Sequence, residues 1–254
     1  MFTGQMSKTL IYVAGPTGIG KTSFSIELAK RLKTEIISCD SRQFYKELKI
    51  GSAPPNQKEL SQIKHHFIHN LSVTYNYNAG QFEIDATKLI NKLHQKNDTI
   101  IIVGGSGLYV DAICKGFDML PEVSRKIRDE ITLKYHTKGI GWLQKKIKEI
   151  DPILYSNYDT DNPQRLLRAL EVFEATGRTL SSFKSHKIKE RPFKIIKIGL
   201  NIERSRLYKR INERVDMMIE EGLLNEVTSL LHLKKKNALQ TIGYKELFTF
   251  LNNE

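Results

Sequence analysis

The sequence predicts an α/β fold, a parallel sheet with helices on both faces and a helical insertion domain, and three observations carry that expectation. Runs of β-branched and other apolar residues bounded by turn residues occur at residues 9–14, 35–38, 100–103 and 193–202. Helix-period segments lie between the early runs, the alternation that builds a parallel sheet buried on both faces. From residue 117 to about 192 the strand runs vanish, and helix-forming patterns with Lys and Arg throughout take their place. The expected organisation is therefore a core of residues 1–116 and 193–254, interrupted by a helical insert at 117–192.

Thr9–Ala14 reads as a buried strand, and Gly15-Pro16-Thr17-Gly18-Ile19-Gly20-Lys21-Thr22 follows it directly. A glycine-rich turn after a strand, closed by Lys-Thr and leading into a helix, is the Walker A pattern of a phosphate loop, so the core is expected to be P-loop NTPase-like. The glycines let backbone N–H groups turn inward around phosphate oxygens, and the helix brings its positive end. Lys21 reaches the bridging and terminal oxygens, and the Thr22 hydroxyl can ligate Mg²⁺, the expected cofactor. Phe24, Leu28, Ala29 and Leu32 recur at helical spacing and form the expected inner face of that helix.

The second run ends at Cys39-Asp40-Ser41 and the third at Gly104-Gly105-Ser106-Gly107. Ligands of such sheets bind beyond the carboxyl ends of the strands, so Asp40 and Ser106 are expected on the rim that carries the phosphate loop. A hydrolytic motor would place its Walker B acid after a run such as residues 100–103; Gly-Gly-Ser stands there instead, which counts against a mechanical NTPase. Asp40, with Ser41, Gln43 and Tyr45 close by, suits the orientation of a nucleophile, or else the capping of a helix.

Within the insert, Asp161 or Asn162 can cap a helix that has Pro163 at its first position, a stripe of Leu166, Leu170 and Phe173, and Gly177 at its end. Arg165 and Arg168 share another face, either solvated or binding. After the last strand, Leu207, Ile211, Val215 and Met218 make an expected core stripe beside Arg206, Arg210 and Arg214. That cationic ridge repels itself unless anions or carboxylates face it. Forty Lys and Arg against 28 Asp and Glu leave 254 residues with a net charge of +12, which favours a polyanionic partner. Two cysteines exclude a disulfide framework and a four-cysteine zinc site, and both read as buried thiols in a reducing compartment. No apolar run suits a signal segment or a membrane span, so a cytoplasmic protein without membrane association is expected.

Six motifs in order carry a family resemblance: the phosphate loop at 15–22, Asp-Ser-Arg-Gln-Phe-Tyr at 40–45, Ile-Gly-Ser-Ala-Pro-Pro at 50–55, Val-Gly-Gly-Ser-Gly-Leu-Tyr at 103–109, Asn-Pro-Gln-Arg-Leu-Leu-Arg-Ala-Leu-Glu-Val at 162–172, and Ile-Gly-Tyr-Lys-Glu at 242–246. Together they resemble the tRNA dimethylallyltransferases, or isopentenyl transferases, over residues 10–251. The resemblance implies transfer of a dimethylallyl group from dimethylallyl diphosphate to N6 of adenine 37, next to the tRNA anticodon, with release of diphosphate. It implies that Gly15, Pro16, Thr17, Gly18, Ile19, Gly20, Lys21, Thr22 and Arg210 hold the diphosphate. Arg214 matches the family's catalytic arginine, Asp40 takes the proton from N6, and Ser106, where the family often has Thr, binds near the amine. By the same match Asp40, Ser41, Arg42, Gln43, Ser106, Gln164, Arg165, Leu166, Leu167 and Arg168 contact the anticodon loop, and Arg128 meets the RNA backbone.

Phe, Tyr and His residues at 65–77 are candidates for stacking on RNA, although His65, His66 and His69 lack the further partners a metal site needs and read as structural. The family pattern continues past the position of Glu254 with an Arg-rich, aromatic helical stretch that touches tRNA. A monomer is expected. The sequence leaves two other classes open: a small-molecule kinase or free-adenylate prenyltransferase, which leaves the basic insert without a task, and an RNA-binding module without activity.

Overall fold

The short apolar runs pair in a computed structural model of the protein, which describes residues 8–184 and 188–252. The chain forms two compact units, Met1–Gly116 with Glu190–Glu254, and Phe117–Lys189. In the first unit β1 (Thr9–Ala14), β2 (Ile36–Ser38), β3 (His65–His66), β4 (Thr99–Val103) and β5 (Lys194–Gly199) build one sheet in the order β3-β2-β4-β1-β5, parallel throughout. Leu10 stands opposite Ile100 and Ile195, and Ser38 opposite Val103. Leu10, Val13, Ile36, Ile37, Ile100, Ile101 and Ile102 are wholly buried, as continuous aliphatic runs in a sheet covered on both faces should be.

Helices α1 (Lys21–Leu32), α2 (Gln57–Leu60), α3 (Ala79–Leu93) and α4 (Gly107–Cys114) lie between these strands in the chain, and α9 (Arg204–Glu220), α10 (Leu223–Ser229) and α11 (Tyr244–Leu251) follow β5. The inner face of α1 departs from the predicted stripe. Ser25, Ile26 and Ala29 are buried and Leu28 packs beside them, whereas Phe24 and Leu32 are 38% and 41% exposed. Ile26 and Ala29 are the residues that pack with Val13, Ile36, Ile101 and Val103, and at about 100° per residue Phe24 and Leu32 lie off that face.

Two further expectations need correction. The aromatic segment at 65–77 supplies core rather than a stacking platform: Phe67 and Tyr77 pack on Phe44, whose ring also meets Phe82 and Tyr109, with centroids between 5.3 and 6.1 Å apart. Tyr75, 54% exposed, is the exception. The last strand is shorter than the run at 193–202, because as an edge strand it pairs with β1 alone, from Thr9 opposite Lys194 to Ala14 opposite Gly199, and ends where β1 ends. Cys39 and Cys114 are free and buried, and burial pushes the thiol of each upward.

The second unit holds α5 (Arg125–Ile150), α6 (Pro152–Asn157), α7 (Pro163–Thr176) and α8 (Leu180–Phe183). Its core joins Ile131, Leu143 and Ile147 of α5 to Leu166 and Leu170 of α7. The Asn162 side chain accepts from the Arg165 amide, Pro163 opens α7, and Gly177 closes it at φ 70°, as the capping signals predict. Buried Asp151 caps α6 through the Leu154 amide (3.0 Å) and also accepts from the Ser181 amide (2.9 Å), so one carboxylate ties α6 to α8. Among the described residues no helix is long and apolar enough to cross a membrane.

Candidate active site

The phosphate loop leaves β1 and enters α1 through Gly20, whose φ of 99° lies where a side chain would be strained. Lys21 folds back over the loop and donates from Nζ to the carbonyls of Gly15 and Pro16, each at 2.9 Å. Arg210 Nη1 donates to the Ile19 carbonyl (3.3 Å) and Arg214 Nη1 to the Thr17 hydroxyl (3.4 Å). The ridge of arginines on α9 is thus resolved by the loop and by Glu203, which pairs with exposed Arg206 at 3.7 Å. The adjacent apolar stripe is not core. No residue of α9 is buried, Val215 is 48% exposed, and Leu207 and Ile211 stand within 4 Å of a Cβ built on Gly18. Ile211, Val215 and Met218 line a cleft, and a cleft wall keeps the periodicity of a core face without its burial.

Across the loop stand the ends of β2 and β4. The Cys39 amide donates to the Val103 carbonyl (2.8 Å), and a Cβ on Gly104 would lie 2.6 Å from the Cys39 carbonyl carbon. Only glycine permits so close an approach. It brings Asp40 next to the Gly104–Ser106 turn, where Asp40 Oδ1 accepts from the Arg42 amide (3.0 Å). The carboxylate therefore holds a turn, and no regular helix starts there for it to cap. Ser106 Oγ accepts from the Ser41 amide (2.9 Å) and donates to the Ser41 hydroxyl (3.0 Å), so it pins the Asp40 turn to the end of β4.

One cleft of about 950 Å³ is lined by the loop from Thr17 to Ser23 together with Asp40, Arg210 and Arg214. Three stretches far apart in sequence meet in it. Burial holds the Lys21 ammonium below the ordinary lysine range; the charge of Asp40 opposes that shift and Arg214 adds to it. A cation that is partly desolvated between an arginine and a carboxylate is poised for a polyanion.

Residues 43–254 match the IPP transferase family. A tRNA dimethylallyltransferase of Flavobacterium johnsoniae is 47% identical over 253 residues, covering 97% of this chain and 82% of that one. One of Christiangramia forsetii is 49% identical over 249 residues, with 98% and 82% covered. The chain belongs to the IPP transferase family. Among solved structures, the full-length tRNA isopentenylpyrophosphate transferase of Bacillus halodurans superposes with a TM-score of 0.66 at 35% identity, over 97% of this chain and 78% of that one. A eukaryotic dimethylallyltransferase acting on tRNA gives 0.78 at 26% identity, over 97% and 64%.

Within this family member, several residues matched to RNA contact have other partners. Arg42 spends its guanidinium on the backbone carbonyls of Asn237 (2.9 Å), Ala238 (3.0 Å) and Gln240 (3.3 Å). Gln43 accepts from Ser38 Oγ (3.1 Å) and donates to the Ala53 carbonyl (3.1 Å). In the helical unit Leu166 and Leu167 are buried, 0% and 6% exposed, so their side chains are core and offer RNA no surface. Helical periodicity forces this, since both sit on the face of α7 that packs on α5. Arg168 and Arg128 both approach Glu171, at 3.3 and 3.6 Å, and Arg168 also donates to the Pro121 carbonyl (3.2 Å). Gln164 and Arg165 are exposed, with the Arg165 guanidinium 5.5 Å from the centre of the Tyr158 ring.

Among the described residues no group of three His, Cys, Asp or Glu side chains could hold a metal ion. Mg²⁺ does not need one, because it keeps several waters and takes one or two protein oxygens plus substrate phosphates. Thr22, in the first turn of α1 and lining the same cleft as Asp40, fits that donor set. Sequence reasoning missed Glu226 and Tyr244, which hold a wall of this cleft. Tyr244 and Gly51 lie inside two of the quoted motifs, but no spacing rule links them.

Proposed function

We propose that this transferase moves a dimethylallyl group from dimethylallyl diphosphate to N6 of adenine 37, beside the anticodon of tRNA, and releases diphosphate. One observation carries the reading: the loop that cradles phosphates faces two arginines and shares its cleft with Asp40, while β4 ends in Gly-Gly-Ser in place of a water-polarising acid. A phosphate grip without that acid is suited to hold a leaving group.

As the allylic C–O bond breaks, negative charge grows on the diphosphate. Lys21, Arg210 and Arg214 stand against the loop, hydrogen-bonded to its carbonyls and to Thr17, and exchanging those bonds for diphosphate oxygens would stabilise that charge together with the loop amides. Mg²⁺ bound at Thr22 would add charge neutralisation on the same oxygens. Adenine N6 is a weak nucleophile, and Asp40 serves it by accepting its hydrogen as the new C–N bond forms. Ser106 keeps the Asp40 turn in place through Ser41. The anticodon loop is a reasonable substrate because unpaired bases can be splayed out and read on their edges. Incubation with donor, Mg²⁺ and either tRNA or free adenylate tests the proposal. Product on tRNA alone is expected; turnover of adenylate without RNA would overturn the assignment of the acceptor.

A further inference from the structure

Glu226, on α10, accepts hydrogen bonds from the backbone amides of Lys49 (2.8 Å), Ile50 (2.9 Å) and Gly51 (3.1 Å), and a further one from the Tyr244 hydroxyl. Four donors use nearly all the lone-pair capacity of a carboxylate, and bonds to a charged acceptor are about twice as strong as neutral ones. Tyr244 is 1% exposed, and a Cβ on Gly51 would stand 2.6 Å from its ring and hydroxyl. The pair therefore grips one short stretch of backbone and leaves room only for glycine at its last residue.

The gripped stretch runs straight into the cleft. Ile50, Ala53, Pro54 and Pro55 line it with apolar surface, and Ala53 has a left-handed φ of 45°, a conformation that persists only where its surroundings enforce it. Gln43 holds the Ser52 and Ala53 carbonyls from the other side, at 3.4 and 3.1 Å. Helices α10 and α11 reach the core through Leu223, Val227 and Phe248, so anchoring them does not require a carboxylate at 226.

We propose that Glu226, braced by Tyr244, is a positioning residue of the donor site: it holds residues 49–55 so that Ile50, Ala53, Pro54 and Pro55 form an apolar wall that encloses the five-carbon tail while the diphosphate rests on the phosphate loop. The inference rests on the dimethylallyl-transfer reading above. Glu226 acts through the loop and touches neither substrate.

Comparison of the wild-type chain with Glu226→Gln and Tyr244→Phe tests it by hydrogen exchange at the amides of residues 49–51, by affinity for dimethylallyl diphosphate and for inorganic pyrophosphate, and by steady-state kinetics. In Glu226→Gln those amides should exchange faster, and donor affinity should weaken about tenfold through lost preorganisation, with pyrophosphate affinity and kcat at saturating donor changed less than about threefold. Tyr244→Phe should move the same quantities in the same direction by less. Unchanged exchange, equal losses for donor and pyrophosphate, or a fall in kcat with KM unchanged would overturn the proposal. Should Glu226→Gln fail to fold, unchanged donor affinity in Tyr244→Phe would overturn it alone. Absence of tRNA product from the wild-type chain would fall on the functional reading, and the exchange and pyrophosphate measurements would still decide the clamp.

Discussion

Asp40 has little freedom, because contacts on both sides of it fix the turn it sits in. Gly104 admits the end of β2, Ser106 fastens the next residue, and the Arg42 amide fixes one carboxylate oxygen. If its task is to accept the N6 hydrogen, Asp40→Ala should lower kcat by about 10² or more with tRNA affinity little changed, as loss of a general base does. Equilibrium binding and turnover measured on the same variant check this division. Lys21 offers a second test through pH. The loop holds diphosphate while Lys21 is protonated, so affinity is present below its pKa and lost as pH rises through it. Asp40 is the charge that opposes the lowering caused by burial and Arg214. Asp40→Asn should therefore bring the alkaline loss of pyrophosphate affinity to lower pH, which calorimetric titration across the alkaline range would register.

At the scale of elements, the outcome for α1 separates what a sequence pattern carries from what packing decides. Ile26, 3% exposed, belongs to the sheet-facing core, and Ile26→Ala should cost about 2–5 kcal/mol of stability. Phe24, larger but 38% exposed, should cost less than about 1 kcal/mol when cut to Ala. Denaturant unfolding of both variants measures the difference. Strands β1, β2 and β4 and the phosphate loop were legible because β-branched runs and a glycine turn closed by Lys-Thr are local signals. So were the caps of α7, which depend on Asn162, Pro163 and Gly177 alone. β3 was not, since two histidines become a strand only through pairing with Ile36 and Ile37. The stripe on α9 had the period of a core face, but the element it faces is the phosphate loop. The brace that Arg42 makes and the clamp at Glu226 escaped for a similar reason: their backbone partners lie about 195 and 176 positions away in the chain.

For the whole molecule, a net charge of +12 has a physical use if the substrate is a polyanion steered by many cations. Exposed Arg165 is the sharpest candidate in the helical unit, because Arg128 and Arg168 both approach Glu171. Arg165→Ala should weaken tRNA binding, reduce the slope of log affinity against log salt by about one, and leave the donor KM unchanged. Salt titrations of tRNA binding by wild type and variant provide that comparison. The central claim is that the phosphate loop holds a leaving diphosphate while Asp40 serves an adenine amine, and nucleoside mass spectrometry of tRNA treated with this chain, Mg²⁺ and dimethylallyl diphosphate tests it most directly. The account predicts one C5H8 addition on a single adenine beside the anticodon; tRNA left unmodified at saturating donor would contradict it.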